Sequence, residues 1–578
     1  MKKFLLGILC GIVLAALGGI VLIFAAARFG DRKPSVADGS TLVMRMAGEV
    51  PERPAVDISL PFYEASGAPT MLETWQALNR AANDPKIKAI VLEPRGIRTG
   101  WGKIQELRGA IDKFRQQSGK PVYAHLYSPH TADYYLASAA DKVFLEHDDM
   151  LNVKGLRIEE MYYKNALDKL GVQMEIEHAG KYKDYGDQYS RTSMTPETRE
   201  VLNSFLDEWF SDMVSSIAKG RRRTPEEIAK MMDDGPFLAE KAHDLGLVDT
   251  LGYEDDVYAQ LKEKLKVTAM KKVSLRDYVR STPASKEKGR IALLVADGGI
   301  SGSNNADPTD EITAAGMIKL MKQVENDSTI KGVIFRVNSP GGDAIASDEI
   351  LHQAKILAKK KPMVISMSDY AASGGYMISM TGDPVIAYPG TITGSIGVVF
   401  GKINLHGLYD KIGIQKETLK RGRFADIDSE SQSLDPAERQ KLREGIEATY
   451  KSFVTQVAEG RKRKFEEVEP LSQGRAWTGK QALSRGLIDQ EGGLEAAITA
   501  IKKKAQIPEK DKVSIVPFPE RKTLFEQWSS RNEEPSSGDA ELRAVLRTLI
   551  PDAQARTWTR ALLNGGMLRV MPYSITVR

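Results

Sequence analysis

Residues 84–92, DPKIKAIVL, return in altered form at 327–335 as DSTIKGVIF. The same relation holds for GKPVYAHL at 119–126 and KKPMVISM at 360–367, and for KLGVQMEIEHAGKYKDY at 169–185 and KIGIQKETLKRGRFADI at 411–427. It holds again for AKGRRRTPEEI at 218–228 and AEGRKRKFEEV at 458–468, and for AEKAHDLGLVD at 239–249 and TGKQALSRGLID at 478–489. YYLASAADKVFL at 134–145 is set against GYMISMTGDPVIA at 375–387, with one residue added in the second copy. The offset stays at about 240 residues throughout, so the chain is two copies of one unit. Any fold proposed for one half must serve both.

Each half alternates short apolar runs that read as buried strands with helical stretches such as KIQELRGAIDKF at 103–114. That pattern implies an α/β architecture. The expected divisions are an apolar segment at 4–27, a first half at 40–278, a second half at 290–510 and an extension at 511–578. STPASKEKGR at 281–290 reads as the joint, being polar with a proline. NEEPSSGDA at 532–540 reads as a loop, and ELRAVLRTLI at 541–550 as a helix.

Residues 4–27 carry no charge, and about 20 apolar residues span a bilayer. The run is long for a cleaved signal, although Ala25-Ala26-Ala27 could mimic a cleavage site; it reads as an uncleaved anchor. Lys2 and Lys3 precede it and Arg28, Arg32 and Lys33 follow, so flanking charge does not set its orientation. The single cysteine, Cys10, lies within it. The body therefore has neither disulfides nor thiol ligands, which suits an oxidising compartment. A net charge of +4 gives no case for nucleic acid as a partner. No HExxH occurs, and His125 and His130 are poorly spaced for a metal, so no cofactor is expected. The seven histidines read as ordinary surface or core residues.

The differences between the copies carry the chemistry. AASGGY at 371–376 has no glycine pair in the first half; Ser373 is set against Ala132, and Gly374-Gly375 against Asp133-Tyr134. SPGG at 339–342 faces GIRT at 96–99. In the other direction, GKYKD at 180–184 faces GRFAD at 422–426. Lys181 keeps a basic partner in Arg423, whereas Lys183 faces Ala425. Ser395 in TGSIG faces Val153. One half thus has a serine among glycines and the other a lysine. Ser373 is the candidate nucleophile and Lys183 the candidate base, since a neutral amine accepts a serine proton as imidazole does.

SPGG, AASGGY, TGSIGV and GKYKD, which stand in that family's order and separation, resemble the signal peptide peptidase A family in its long, duplicated, membrane-anchored form. The resemblance runs from the anchor to MPYSITVR at the end. It implies a ClpP/crotonase-like fold of ββα units and a serine endopeptidase with a lysine base, acting on signal-peptide remnants. It also implies a bacterial cytoplasmic-membrane location with the catalytic body outside the cytoplasm. By position, Ser373 would be the nucleophile, Lys183 the base and Ser395 the residue that holds the amine in line. Gly374 and one of Gly341 or Gly342 would supply the oxyanion amides. Single-length relatives imply a ring, expected here as a homotetramer with the site inside each chain. Asp184-Tyr185-Gly186 departs from the small neutral residues that follow the lysine in some long forms; Asp184 is expected to point outward, because Asp426 is retained where there is no lysine. Two other readings remain, a crotonase-type acyl-CoA enzyme and an inactive membrane scaffold. A lysine base near pH 7–8 needs its pKa lowered by about 3 from about 10.4, a shift that burial can supply.

Overall fold

The computed structural model describes Gly18 and residues 34–54, 58–60, 63–65, 68–282, 289–302, 311–519 and 566–571. Among these, no helix is long and apolar enough to cross a membrane. Apart from Gly18, the anchor expected at 4–27 lies outside them, as do residues 283–288 of the joint and the loop and helix expected at 532–550.

The repeat is carried into topology. The first half forms a parallel sheet in the order Thr250–Leu251, Lys142–Leu145, Val122–Leu126, Ile87–Ile97, Ser40–Gly48, Lys271–Ser274. In the second half, Met363–Ala372, Ile330–Ser339, Arg290–Asp297 and Ser514–Phe518 follow one another in the same way, with Val385–Ala387 and Gln490–Glu491 branching from the first of these. Parallel strands buried on both faces need near-continuous apolar sequence, and Ile330–Val337 meets that need with only Lys331 exposed. Ser514–Phe518 lies beyond the boundary expected at 510, yet it pairs with Arg290–Leu294 as Lys271–Ser274 pairs with Ser40–Val43. The second unit therefore includes it.

Two 26-residue helices, Pro196–Arg221 and Pro436–Arg461, show how local sequence sets the same boundaries twice. Each has proline in its first turn, where no N–H is needed, and a side-chain cap from Thr195 or Asp435. Each ends on a left-handed residue, Arg222 or Lys462. Arg221 and Arg461 then reach Asp249 and Asp489 at 2.8 and 2.7 Å.

The halves share one core. Leu92, Trp101 and Ile104 of the first pack in the same cluster as Val295, Ile334 and Ile392 of the second. Polar groups buried at this seam are paired across it. Arg336 donates to Glu52 at 2.8 Å and to Glu106 at 2.7 Å, and all three are buried. Burial pushes the Glu106 carboxyl up, while Arg336 and Lys103 outweigh burial at Glu52 and hold it down. Asp369 accepts from the amides of Gly100 and Lys103 at 3.0 and 2.7 Å, an approach that leaves no room for a Cβ at residue 100.

A third, mixed sheet joins the halves. Its order is Glu311–Thr313, Gly299–Ser301, Gly341–Asp343, Gly566–Val570, Val398–Asn404, Gln173–Ala179. The last pair is antiparallel over seven residues and links one half to the other, with Ala179 opposite Val398 and Gln173 opposite Asn404.

Candidate active site

Ser373 sits where the strand Met363–Ala372 turns into the short helix Gly374–Ile378. Its backbone has φ 54° and ψ −116°, a region that costs a non-glycine residue about 1–3 kcal/mol. The turn is held by Ser373 N–H donating to Gly394 O at 2.7 Å and Met377 N–H donating to Ser373 O at 2.9 Å. Glycine is required at 375, since a Cβ there would lie 2.4 Å from Ser339 O. The small residues around Ser373 thus permit a strained turn against the strand that ends at Ser339.

Lys183 arrives from the other half. The strand Gln173–Ala179 runs beside Val398–Asn404 and delivers the turn Gly180–Lys183 to the loop Ser472–Arg475. Tyr182 N–H donates to Gln473 O at 2.9 Å. A Cβ at Gly474 would stand 2.5 Å from Lys183 Cβ, so this glycine sets how closely the lysine backbone is clasped. The Lys183 Nζ lies 2.9 Å from Ser373 Oγ and 3.0 Å from Ser395 Oγ, and it donates to Ser395 O at 3.0 Å. Lys183, Ser373 and Ser395 are all fully buried. Ser395 also has a positive φ, 50°, and its N–H donates to Arg475 O at 2.8 Å, in the same loop that clasps the lysine. Lys181 is exposed, with its amine over the Tyr182 ring.

Asp184 does not point outward. It is buried and accepts a hydrogen bond from the Thr198 hydroxyl, which ties the lysine turn to the start of the long helix. Asp426 is also buried, accepting from Lys420 Nζ at 2.7 Å. The aspartate is kept in both copies because it is used inside the fold.

The glycines of SPGG flank this pair. Gly341 has φ 102° and Gly342 φ 155°, and a Cβ at 342 would meet Ile300 O at 1.9 Å. Gly341 N–H donates to Ser339 Oγ at 3.2 Å. Gly374 opens the short helix, where the first amides have no intrahelical acceptor.

The geometry shifts the alignment of the halves by one residue here. Tyr134 Oη donates to Leu247 O at 2.6 Å, and Tyr376 Oη donates to Leu487 O at 2.7 Å. Val143 and Val385 amides both donate at 2.7 Å, to Asp249 and Asp489. Tyr134 and Tyr376 are therefore equivalent, no residue is inserted between these landmarks, and the counterpart of Ser373 is Thr131 rather than Ala132. Asp133 then stands opposite Gly375. Its buried carboxylate accepts from the amides of Gly96, Ile97 and His130 at 3.2, 3.1 and 2.9 Å. In the first half a carboxylate binds the strand end at Gly96 and Ile97, whereas in the second glycine lets Ser339 O approach to where a Cβ would stand. The loss of glycine at 133 was visible in the sequence; the amides its side chain would meet were not.

The model of peptidase family S49 matches this chain twice, over residues 114–268 and 355–508. The first match contains Lys183, and the second contains Ser373 and Ser395. The chain belongs to peptidase family S49. It is a serine peptidase of that family, with the domain duplicated. The chloroplastic serine protease SPPA of Arabidopsis thaliana is 34% identical over 83% of this chain and 71% of its own. Protease 4 of Salmonella typhi is 33% identical over 74% of this chain and 71% of its own, and Protease 4 of Haemophilus influenzae 31% identical over 73% and 71%. Among solved structures, a mutant of a membrane-bound stomatin-specific protease covers 41% of this chain and 98% of its own at 14% identity, with a TM-score of 0.25, too low to bear on the fold. The mixed α/β architecture of this S49 chain stands on its own sheets, described above.

Proposed function

We propose that this S49 peptidase is a membrane-anchored endopeptidase that works through a Ser373–Lys183 dyad on extended apolar peptides, signal-peptide remnants among them. The observation that carries the reading is the 2.9 Å separation of Lys183 Nζ and Ser373 Oγ, each from a different half and both closed to water. Burial disfavours the charged ammonium, which is the direction a base requires. In the first step the neutral amine takes the hydroxyl proton as Oγ attacks the peptide carbonyl. Gly374 N–H and an amide from Gly341 or Gly342 receive the oxyanion; such a donor contributes about 10²–10³ in rate. The ammonium then returns its proton to the leaving amine, and water hydrolyses the acyl-serine by the same route. Ser395, within 3.0 Å of Nζ through both its hydroxyl and its carbonyl, is the positioning residue.

Residues 4–27 would anchor the chain in the bacterial cytoplasmic membrane, with the body on the outer face. The charge-free run, the thiol-free body and the family resemblance support this. Protease added to intact spheroplasts should digest the body; a protected body would reverse the orientation. The dyad is tested with a fluorophosphonate probe. Labelling of Ser373 alone, absent in Ser373→Ala and weak in Lys183→Ala, is expected. Equal labelling of Lys183→Ala would remove the lysine from the mechanism.

A further inference from the structure

The residues on either side of Lys183 both reach the start of the helix Pro196–Arg221. Asp184 accepts from the Thr198 hydroxyl, and Tyr182 Oη donates to Glu200 Oε2 at 3.1 Å. From the other half, Arg475 completes the arrangement. Its guanidinium donates to Glu200 Oε1. It also lies against two rings, 4.8 Å from the centre of Tyr182 and 4.4 Å from that of Trp477. Trp477 is fixed to its own loop, with Nε1 donating to Leu471 O at 3.0 Å. The Arg475 carbonyl accepts the Ser395 N–H at 2.8 Å. One residue thus meets the lysine turn through its side chain and the lysine's serine partner through its backbone.

The repeat shows where this contact is used. The two long helices are equal in length, which sets Glu200 opposite Gln440, and GKYKD against GRFAD sets Tyr182 opposite Phe424. The pairs Arg221–Asp249 and Arg461–Asp489 span the same length of chain, so Arg475 falls opposite Gly235. A Cβ at Gly235 would meet Val153 O at 1.9 Å, so no arginine could stand there. The carboxylate, the phenol and the guanidinium are therefore all missing from the other copy, as are the counterparts of Lys183 and Ser373. The ion pair of Arg221 with Asp249, which only folds the chain, is kept twice. The Arg475 contact occurs once, at the junction where Lys183 meets Ser373.

We infer that Arg475, Glu200 and Tyr182 form a latch between the halves that positions Lys183 against Ser373. The inference rests on the peptidase reading above and adds to it three positioning residues, none of which touches the reacting atoms. Arg475 fixes the loop Ser472–Arg475 that clasps the lysine, and Glu200 holds the guanidinium and the phenol together. The Glu200 carboxyl is held below the usual carboxylate range, chiefly by the hydrogen bond from Arg475, so the latch stays ionised wherever the lysine titrates. With the latch open, the loop loosens, water reaches the amine and the ammonium is favoured again. The latch therefore sets both the distance from Nζ to Oγ and the fraction of lysine that is neutral.

The test uses the full chain and two readouts, kcat and KM on an apolar reporter peptide and the rate of fluorophosphonate labelling across pH. Glu200 is half-exposed, so Glu200→Ala empties no core position; Arg475→Ala is the second variant. Each should lower kcat at least about ten-fold with KM within about two-fold of wild type, as a displaced catalytic group does. The pH of half-maximal labelling should rise by about one unit, because a hydrated lysine holds its proton more tightly. Glu200→Gln keeps an acceptor for Arg475 and should recover most of the rate lost in Glu200→Ala, with its pH profile moved back toward wild type. The double variant should be no slower than the slower single one, since both open the same latch. Wild-type kcat in both single variants would overturn the inference, as would a rate loss with an unmoved pH profile. A raised KM with kcat unchanged would overturn it too, by making Arg475 a substrate contact. Lys183→Ala in the same assay separates the two claims. An inert Lys183→Ala beside wild-type Glu200→Ala and Arg475→Ala removes the latch alone. Wild-type labelling of Lys183→Ala removes the lysine base, and the role of the latch with it.

Discussion

At the scale of single residues, the site is two close approaches that only glycine permits, at 375 against Ser339 and at 474 against Lys183. They set how closely the Ser373 and Lys183 backbones are held, and take no part in the chemistry proposed for those two side chains. Ser373→Ala should abolish peptide cleavage and leave the melting temperature within a few degrees of wild type, since it removes one buried hydroxyl and no backbone contact. Cleavage at the wild-type rate by a protease-free sample would remove Ser373 from the mechanism. Lys183→Met should be as inactive, whereas Lys181→Ala, altering an exposed side chain, should keep most activity. In wild type, kcat/KM should rise with pH as the amine becomes neutral; a flat profile from about pH 6 to 9 would argue against a lysine base. Gly474→Ala tests positioning. The added methyl would press on Lys183 Cβ, so kcat should fall by about 10²-fold, following the loss expected when a catalytic group shifts by about 1 Å. Unchanged kcat would mean that the clasp is not needed. Ser373 and Lys183, which the fold brings within 2.9 Å of each other, could be singled out because each lacks its like in the other copy. The alignment around Ser373 was not legible, because small residues at the strand-to-helix junction give no periodic signal; two tyrosine hydroxyls settle it in three dimensions. Asp184 was misjudged because sequence shows that a carboxylate is retained, not which hydroxyl it meets.

At the scale of elements, the parallel strands and long helices follow from pattern. Apolar runs with a turn before and after them were readable as strands, and proline with a capping side chain marks the start of both long helices. The strands at Ser514–Phe518 and Gly566–Val570 were not placed, because each is short and takes its partners from distant sequence. The seam between halves was also invisible. Arg336 lies in the strand Ile330–Ser339, and its guanidinium crosses to Glu52 and Glu106 nearly three hundred and more than two hundred residues away. Removing one member of such a buried cluster leaves the others uncompensated, at a cost of about 3–5 kcal/mol. Arg336→Met should lower unfolding stability by that order in a urea titration read by tryptophan fluorescence, with the first-half and second-half signals moving together. A loss under about 1 kcal/mol would show that the two carboxylates are relieved by protonation instead.

For the whole molecule, the question is what the repeat does with its unused edges. Inside the chain, Gln173–Ala179 pairs with Val398–Asn404, and that pairing brings Lys183 to Ser373. The repeat supplies a second pair of the same kind: residues 415–421 correspond to the first strand and residues 156–162 to the second. Neither segment forms a strand in the single chain. Residues 411–423 are exposed throughout, with Leu419 at 96% and Ile412 at 59%, and Met161 on the other segment is at 67%. One copy's 415–421 and the next copy's 156–162 can therefore pair as the strands within the chain do. That contact is head-to-tail, and it closes into a ring when the rotation allows; four copies is the number the family resemblance implies. Such a junction would lack the counterparts of both Lys183 and Ser373, since Ala425 and Thr131 stand at the corresponding positions. This gives an outcome that separates the two kinds of junction. When Ser373→Ala and Lys183→Ala chains are co-expressed and the mixed rings purified by two different tags, activity should stay absent, because Lys183 and Ser373 meet within one chain and every site lacks one of them. Recovery of a sizeable fraction of wild-type activity would mean that neighbouring chains exchange the strand Gln173–Ala179, and would move the site from inside the chain to the contact between chains. Leu419→Asp supplies the control for assembly: it should lower the mass seen in sedimentation toward that of one chain, and an unchanged mass would exclude residues 415–421 from the contact.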